Sequence, residues 1–425
     1  MRRLLDSLEQ FAVDVILERR AGKRAGLLRA LLLLLSYLYL GIVTLRLYLF
    51  GSHILRSHQL GCPVVSIGNL TVGGTGKTPV VEKLARDLTT RGRRIAILSR
   101  GYKSVKGRAS HATGTSCRVV SEGGAILLDS KNAGDEPFML AKNLRGVAVV
   151  VDKDRVGCGS HAVNRLGCDL LILDDGLQYL KLHRKFDIVL IDREAPFGNE
   201  YLLPRGTLRE PPSHLQRATH ILITKSDGSD LTALHERIRL HNRTAPIIEC
   251  RHRPVVVQDL STGEEFPLSG LQGLRAASLS AIASPESFEQ GLRRLGVELE
   301  LTQSFADHHR YSKREIERFL KRCARRGISC VLTTEKDAVR MPRLLNQEIP
   351  IRYLRIEIEI MKGQEEWERM LEQLLHAPRP LIENTEIRGE ELRQEEEMLP
   401  NASYPEPKNQ EHLLVNLSPE KRLND

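Results

Sequence analysis

The stretch SIGNLTVGGTGKTPVV, Ser66 to Val81, constrains this chain more than any other. Before the glycines, Pro63 to Ile67 is a short apolar run of β character, and from Pro79 onward apolar and polar residues recur at helical spacing. Strand, glycine loop and helix in that order fit a parallel sheet, where each strand needs a crossover helix to begin the next. Gly73, Gly74 and Gly76 let successive backbone N–H groups point at an anion, and the helix that follows adds the positive end of its dipole. Lys77 is placed to reach the β and γ phosphates of a nucleotide, and the Thr78 hydroxyl to bind Mg²⁺. A bare Gly-Lys-Thr is common by chance, but the added glycines and the strand and helix flanks make this one specific. Thr71 stands where the general pattern has its first glycine, and with Val72 and Thr75 it completes a nucleotide-binding loop over residues 71–78.

Downstream, β-like runs alternate with helical stretches: Arg94 to Ser99, Gly146 to Val151, Asp169 to Leu173, Phe186 to Ile191 and His220 to Thr224. Near-continuous apolar strands belong in a parallel sheet covered on both faces, so the expected architecture is doubly wound α/β of the P-loop NTPase type. Ligands in such sheets bind beyond the carboxyl ends of the strands. Pro254 to Leu268 reads as two short strands around Ser261-Thr262-Gly263, a hairpin at a domain joint, and a second, smaller α/β lobe follows with strands at Ile328 to Thr334 and Ile351 to Ile358. The expected divisions are a basic and apolar segment over 1–58, the P-loop domain over 59–253, the hairpin over 254–268 and the second lobe over 269–376. An acidic tail over 377–425, rich in Glu, Pro and Asn, is expected to be disordered.

Charge is uneven along the chain. The formal net charge is +9, yet residues 1–60 hold nine Arg/Lys against four Asp/Glu, while 378–425 hold eleven acids against six bases. This polarity points to an acidic membrane surface, not to nucleic acid, and 4% aromatic content gives no stacking platform for single strands. Ala30 to Leu45 is uncharged, and as a helix its sixteen residues would span about 24 Å against a hydrocarbon core of about 30 Å. Arg19, Arg20, Lys23, Arg24 and Arg29 precede it and favour the cytoplasmic side. A single crossing would then put the phosphate loop where there is no ATP, so the expectation is a helix lying in, or dipping into, the inner leaflet, with its basic residues on lipid head groups. Seven scattered cysteines without ligand spacing read as free thiols in a reducing compartment.

Several residues can do chemistry. Asp174 and Asp175 end a strand behind the phosphate loop, where Mg²⁺ carboxylates belong. Asp135 and Glu136 open an apolar-periodic helix, a position that also suits a plain N-cap. His308 and His309 lie in a polar loop, His308 as a general base or the partner of one, with no further ligands at zinc spacing. Phe197 to Pro211 carries Arg205, Arg209 and Glu210, and arginine there can neutralise a transferring phosphoryl group. Thr224 to Asp227, TKSD, is similar to the base-reading motif of GTPases, or is a turn.

Taken in order, GNLTVGGTGKTP, SRGY (Ser99 to Tyr102), GDEP, DDGLQ, LLPRGTLREP, FADHHRY and TEKDAVR resemble the motifs of the tetraacyldisaccharide 4'-kinase family of lipid A biosynthesis, over about residues 10–375. The family accepts a hydroxyl residue at the place of Thr71. The resemblance implies transfer of the ATP γ-phosphate to the 4'-hydroxyl of a tetraacyl disaccharide 1-phosphate, on the cytoplasmic face of the inner membrane, with no obligate protein partner. It implies Asp135 as catalytic base with His308 as its partner, Asp174, Asp175 and Glu210 with Thr78 around Mg²⁺, and Arg209 and Arg155 in the active site. Two departures stand out: Leu177-Gln178-Tyr179 replaces the usual aromatic-Gln-His, and Ser280 and Ala283 replace glycines in the turn that opens the second lobe. The competing class is a regulatory P-loop ATPase or GTPase recruited to membranes, which would leave GDEP and DHH without a task.

Overall fold

The computed structural model describes residues 11–101, 104, 117–342 and 348–380. Tyr102 of SRGY and residues 381–425 of the acidic tail lie outside the described residues. The first long element, α1 (Lys23–Gly51), is a 29-residue helix of about 43 Å. It outruns the sixteen uncharged residues because Arg24, Arg29 and Arg46 are good helix formers and continue it at both ends. Only Ala25 and Ser36 are buried in it, while Leu27, Leu34, Leu38, Ile42 and Tyr48 are each more than half exposed. A helix apolar around its circumference and bare of protein contact over most of its length has the surface of a lipid-facing element.

The chain then alternates: β1 (Val64–Asn69), α2 (Lys77–Thr90), β2 (Ile95–Ser99), β3 (Arg118–Glu122), α3 (Ser130–Ala133), α4 (Asp135–Asn143), β4 (Ala148–Val151) and α5 (Arg155–Asn164). There follow β5 (Leu170–Asp174), β6 (Phe186–Asp192), β7 (His220–Thr224), α6 (Thr232–Arg239) and β8 (Ile247–Asp259). The remaining elements are β9 (Glu265–Phe266), β10 (Arg275–Ser280), α7 (Pro285–Arg294), β11 (Glu298–Ser304), α8 (Lys313–Ala324), β12 (Cys330–Thr334), α9 (Glu335–Ala338), β13 (Ile351–Lys362) and α10 (Gln364–Leu375).

Among the described residues all thirteen strands join one sheet, ordered β11-β10-β12-β13-β8-β7-β6-β1-β5-β2-β4-β3, with β9 on β8. β1 lies at the middle of its half, parallel to β5 on one side and β6 on the other. Its register sets Ile67 opposite Asp174, so the phosphate loop and the strand-end carboxylate leave the sheet at the same edge. β8 serves both halves: Ile221 to Ile223 of β7 pair in parallel with its start, and β13 runs antiparallel along the rest. Its far end forms the hairpin with β9, Val257 opposite Phe266.

Both faces are covered, as near-continuous apolar strands require. Val80, Val81, Leu84 and Leu88 of α2 pack on one face of β1, β2 and β5, and Trp367, Met370, Leu371 and Leu374 of α10 join the same core. Cys158, Ala162 and Val163 of α5 cover the other face. All seven cysteines are free. The Trp367 indole donates to Asp87 Oδ2 at 2.9 Å, tying the last helix to α2. Leu371 is fully buried there, and Leu371→Ala is expected to cost about 3 kcal/mol. Denaturant unfolding followed by the emission of Trp367, the chain's single tryptophan, measures this, and an unchanged midpoint would contradict the packing.

Candidate active site

β1 ends in Asn69, whose side chain pins both ends of the phosphate loop. Its Nδ2 donates to the Thr71 carbonyl at 2.8 Å, and its Oδ1 accepts from Lys77 Nζ at 3.2 Å. A second brace comes from the segment before Arg209, because Thr71 bridges antiparallel to Leu208 and the Val72 N–H donates to the Thr207 carbonyl at 2.7 Å. Gly73 and Gly76 have φ of 132° and 80°, where a side chain is strained. A Cβ on Gly73 or Gly74 would meet no heavy atom within 4 Å, so the loop opens onto free space. Thr75 is buried with its carbonyl accepting from Thr224 Oγ1 at 2.9 Å, and Thr78 is buried in the first turn of α2. Val72 is half exposed at the loop's outer side.

Asp174 closes β5 at 3% exposure. Ser99 Oγ donates to its Oδ2 at 3.1 Å, while Oδ1 is buried without a partner. Burial, then the charges of Glu136 and Asp175, push its carboxyl up to about 6. An orphaned carboxylate oxygen beside a phosphate loop is a group that a cation would satisfy. Asp175, at φ 52°, accepts from Arg209 Nη1 at 2.9 and 2.8 Å and lies 3.5 Å from Lys77 Nζ. Burial pushes its carboxyl up, but Lys77 and Arg209 outweigh it and hold the group below the usual range. Among the described residues no three His, Cys, Asp or Glu side chains form a metal cage. That suits Mg²⁺, which takes one or two carboxylates and completes its shell with water and phosphate. Thr78, Asp174 and Asp175 fit that donor set.

Glu210, 3% exposed, sits behind this group. It accepts from Gln178 Nε2 at 3.1 Å on Oε1, and on Oε2 from Arg217 at 2.5 Å, with His214 Nδ1 at 2.8 Å. Arg155 is buried at the start of α5 and donates to the Asp175 carbonyl at 3.0 Å, its guanidinium 5.3 Å over the Tyr179 ring. The Tyr179 hydroxyl accepts from the Arg155 N–H at 2.9 Å, so this residue, standing where the family has His, buttresses the helix that presents Arg155.

The other centre gathers around Asp135. It occupies the first position of α4, yet Gly134 is the N-cap and no side chain caps the helix. The carboxylate turns instead to the second half of the sheet. Oδ1 accepts from Arg310 at 2.7 Å, Oδ2 accepts from Arg340 Nε at 2.8 Å, and His308 Nδ1 stands 3.6 Å from Oδ2. Arg340 Nη2 reaches His308 Nδ1 at 3.0 Å, and Asp337 anchors Arg340 in turn at 3.3 Å. Burial pushes Asp135 up, but the His308 hydrogen bond and the Arg340 and Arg310 charges prevail and lower it. Its neighbour Glu136, paired with Lys336, is near enough to Lys77 and Asp174 for their charges to act on one another. The two centres therefore adjoin.

Other residues raised by the sequence have partners of their own. The Arg205 guanidinium meets Glu18 and the Tyr201 ring. In TKSD, Thr224 braces the phosphate loop through the Thr75 carbonyl, while Lys225 pairs with Asp192 at 2.6 Å and Asp227 with Arg193 at 2.9 Å. His309 stacks on Phe305 and pairs with Glu315. Conversely, Arg310 and Arg340 stand in FADHHRY and TEKDAVR, where the sequence gives them no task, and only the fold brings them to Asp135. Arg340→Met leaves a buried carboxylate short of a cation and is expected to cost about 3 kcal/mol near pH 7. Because the folded Asp135 carboxyl lies below its usual 3.8, that cost should shrink only as pH falls below about 4. Denaturant midpoints of both proteins across pH check this.

The family model described as Tetraacyldisaccharide-1-P 4'-kinase matches residues 28–376. The tetraacyldisaccharide 4'-kinase of Anaeromyxobacter dehalogenans strain 2CP-C is 41% identical over 357 residues, 83% of this chain and 92% of that protein. That of Geobacter metallireducens is 41% identical over 322 residues, 76% of this chain and 91% of its own length. A crystal structure of the "apo" form of LpxK from Aquifex aeolicus in complex with ATP aligns with TM-score 0.65 and 30% identity, covering 82% of this chain and all of that one. With a family model matched over residues 28–376 and relatives 41% identical over most of both lengths, this chain belongs to the tetraacyldisaccharide 4'-kinase family.

Proposed function

We propose that this chain transfers the γ-phosphate of ATP to the 4'-hydroxyl of a tetraacyl disaccharide 1-phosphate, with Asp135 as the base. The observation that carries the reading is that Glu136, next to Asp135, lies within charge range of Lys77 and Asp174, joining two half-sites: a phosphate loop with strand-end carboxylates, and a buried carboxylate among second-half cations. Residues 71–78 hold the nucleotide phosphates through backbone N–H groups, and Lys77 leaves Asn69 and Asp175 to reach the β and γ oxygens. Thr78, Asp174 and Asp175 would hold Mg²⁺, with Glu210 beside them, its Oε1 accepting from Gln178 Nε2. Bound Mg²⁺ would neutralise charge on the β- and γ-phosphates. Arg209, held on Asp175, and Arg155, beneath the same residue, face the charge of the group in flight.

Two guanidinium contacts make Asp135 a weak base. A weak base suffices, because the transition state of phosphoryl transfer is loose and the attacking hydroxyl gives up its proton late. The hydroxyl oxygen forms the new P–O bond, the β–γ bridge breaks to release ADP, and the proton passes to Asp135, with His308 beside it to stabilise the changing charge. A regulatory nucleotide switch would have no use for this buried carboxylate and its three second-half partners.

α1 is long and apolar enough to cross a bilayer, but the bases at its N-terminal end favour the cytoplasmic side and a crossing would part the phosphate loop from ATP, which supports a monotopic seat in the cytoplasmic leaflet of the inner membrane. The deciding experiment supplies γ-labelled ATP, Mg²⁺ and tetraacyl disaccharide 1-phosphate in detergent micelles, with thin-layer separation of the lipid. Label should enter the lipid with wild type and not with Lys77→Ala. Asp135→Asn should turn over on the order of 10²-fold more slowly with ATP affinity unchanged, and an unchanged turnover would remove Asp135 from the role. Deleting residues 1–50 should abolish flotation on vesicles of anionic lipid, and a truncated protein that still floats would remove α1 from the membrane.

A further inference from the structure

α1 touches the globular part through very few polar groups, and all of them lead to the active site. Among the described residues its side chains hydrogen-bond to that part at three places. Ser36 Oγ accepts the Arg205 N–H at 3.1 Å, and its one proton lies between the Leu202 carbonyl at 2.8 Å and the Leu32 carbonyl of its own helix at 2.9 Å. Tyr39 OH donates to the Arg209 carbonyl at 2.9 Å, and Arg46 donates to the Gln178 carbonyl at 2.9 Å. Ser36 is 4% exposed on a helix that is otherwise almost bare. A hydroxyl buried there serves the loop it holds, since lipid would be a costly place for it.

The loop so held is also the brace of the phosphate loop. The Arg209 N–H donates to the Leu70 carbonyl at 2.7 Å, and the Val72 N–H to the Thr207 carbonyl at 2.7 Å. Arg209 thus has its carbonyl on α1, its N–H on the chain entering the phosphate loop and its guanidinium on Asp175. A rotation of α1 about its axis cannot keep the Tyr39 bond without moving Arg209.

We propose that Ser36 and Tyr39 are positioning residues that couple the seating of α1 in a lipid surface to the alignment of Arg209 and the phosphate loop. This rests on the kinase reading above. Lipid engagement then raises turnover itself, in addition to concentrating the enzyme near its glycolipid.

The test compares the full-length wild type with Tyr39→Phe and Ser36→Ala in detergent micelles at saturating ATP and glycolipid, where membrane targeting no longer limits the rate. Both variants should float with vesicles of phosphatidylglycerol and phosphatidylethanolamine as wild type does and keep its KM for glycolipid, while kcat falls about tenfold. Amide exchange should quicken at Val72 and Arg209 with the melting temperature unchanged. Wild-type kcat and exchange in both variants would overturn the proposal, as would a rise in KM alone, which marks α1 as a tether. If wild type itself labels no glycolipid, the kinase reading fails, and the exchange at Val72 and Arg209 still decides the coupling.

Discussion

The parallel pairing of β1 with β5, Ile67 opposite Asp174, is the constraint on which the rest of the molecule depends. It delivers a glycine loop and a carboxylate to one edge of the sheet without any side chain having to reach. Everything else at that edge answers the electrostatic problem this creates. Asp174 is nearly sealed from water, Asp175 follows it directly, and Glu136 adds a third acid nearby. Lys77, Arg209 and Arg155 are arranged around them as fixed cations. A carboxylate cluster in a low-dielectric setting either protonates or finds positive charge, and this one keeps an oxygen of Asp174 open for more of it.

The second half of the sheet solves the same kind of problem for Asp135 with cations from the far side. His308 and Arg310 follow β11, Arg340 follows α9, and Asp337 holds Arg340 in place through a carboxylate that is itself fully buried. The Asp135 centre is therefore assembled from both halves of the chain. Its partners Arg310 and Arg340 lie 175 and 205 positions away in sequence, so no local pattern announces them.

The alternation of apolar runs made the doubly wound sheet legible, and the runs at Phe186 and His220 coincide with β6 and β7 to within a residue. The phosphate loop was legible because its residues are contiguous and each has a backbone or charge reason to be there. Other features were hidden for definite causes. β8 begins at Ile247, seven residues before the run at Pro254, because Arg251 and Arg253 break the apolar pattern of a strand whose edges face two different neighbours. The length of α1 was understated because arginine ends a hydropathy window without ending a helix. Asp135 was ambiguous between cap and catalyst, and no local pattern records that Gly134 takes the capping position while Arg310 and Arg340 arrive from elsewhere. His308 and Asp135 could be named together only through family resemblance, since nothing in their spacing places them 3.6 Å apart.

β8 and β13 form a long antiparallel ribbon that belongs to both halves at once. No slack segment separates the strands that carry the phosphate loop from those that carry His308 and Arg340. A change of angle between them has to be taken up as torsion of that ribbon, spread along a hydrogen-bonded ladder and eased at its irregular steps between Arg355 and Ile356 and between Ile360 and Lys362. Such a ribbon resists twisting as a leaf spring does, because any change of angle strains the ladder that has to carry it.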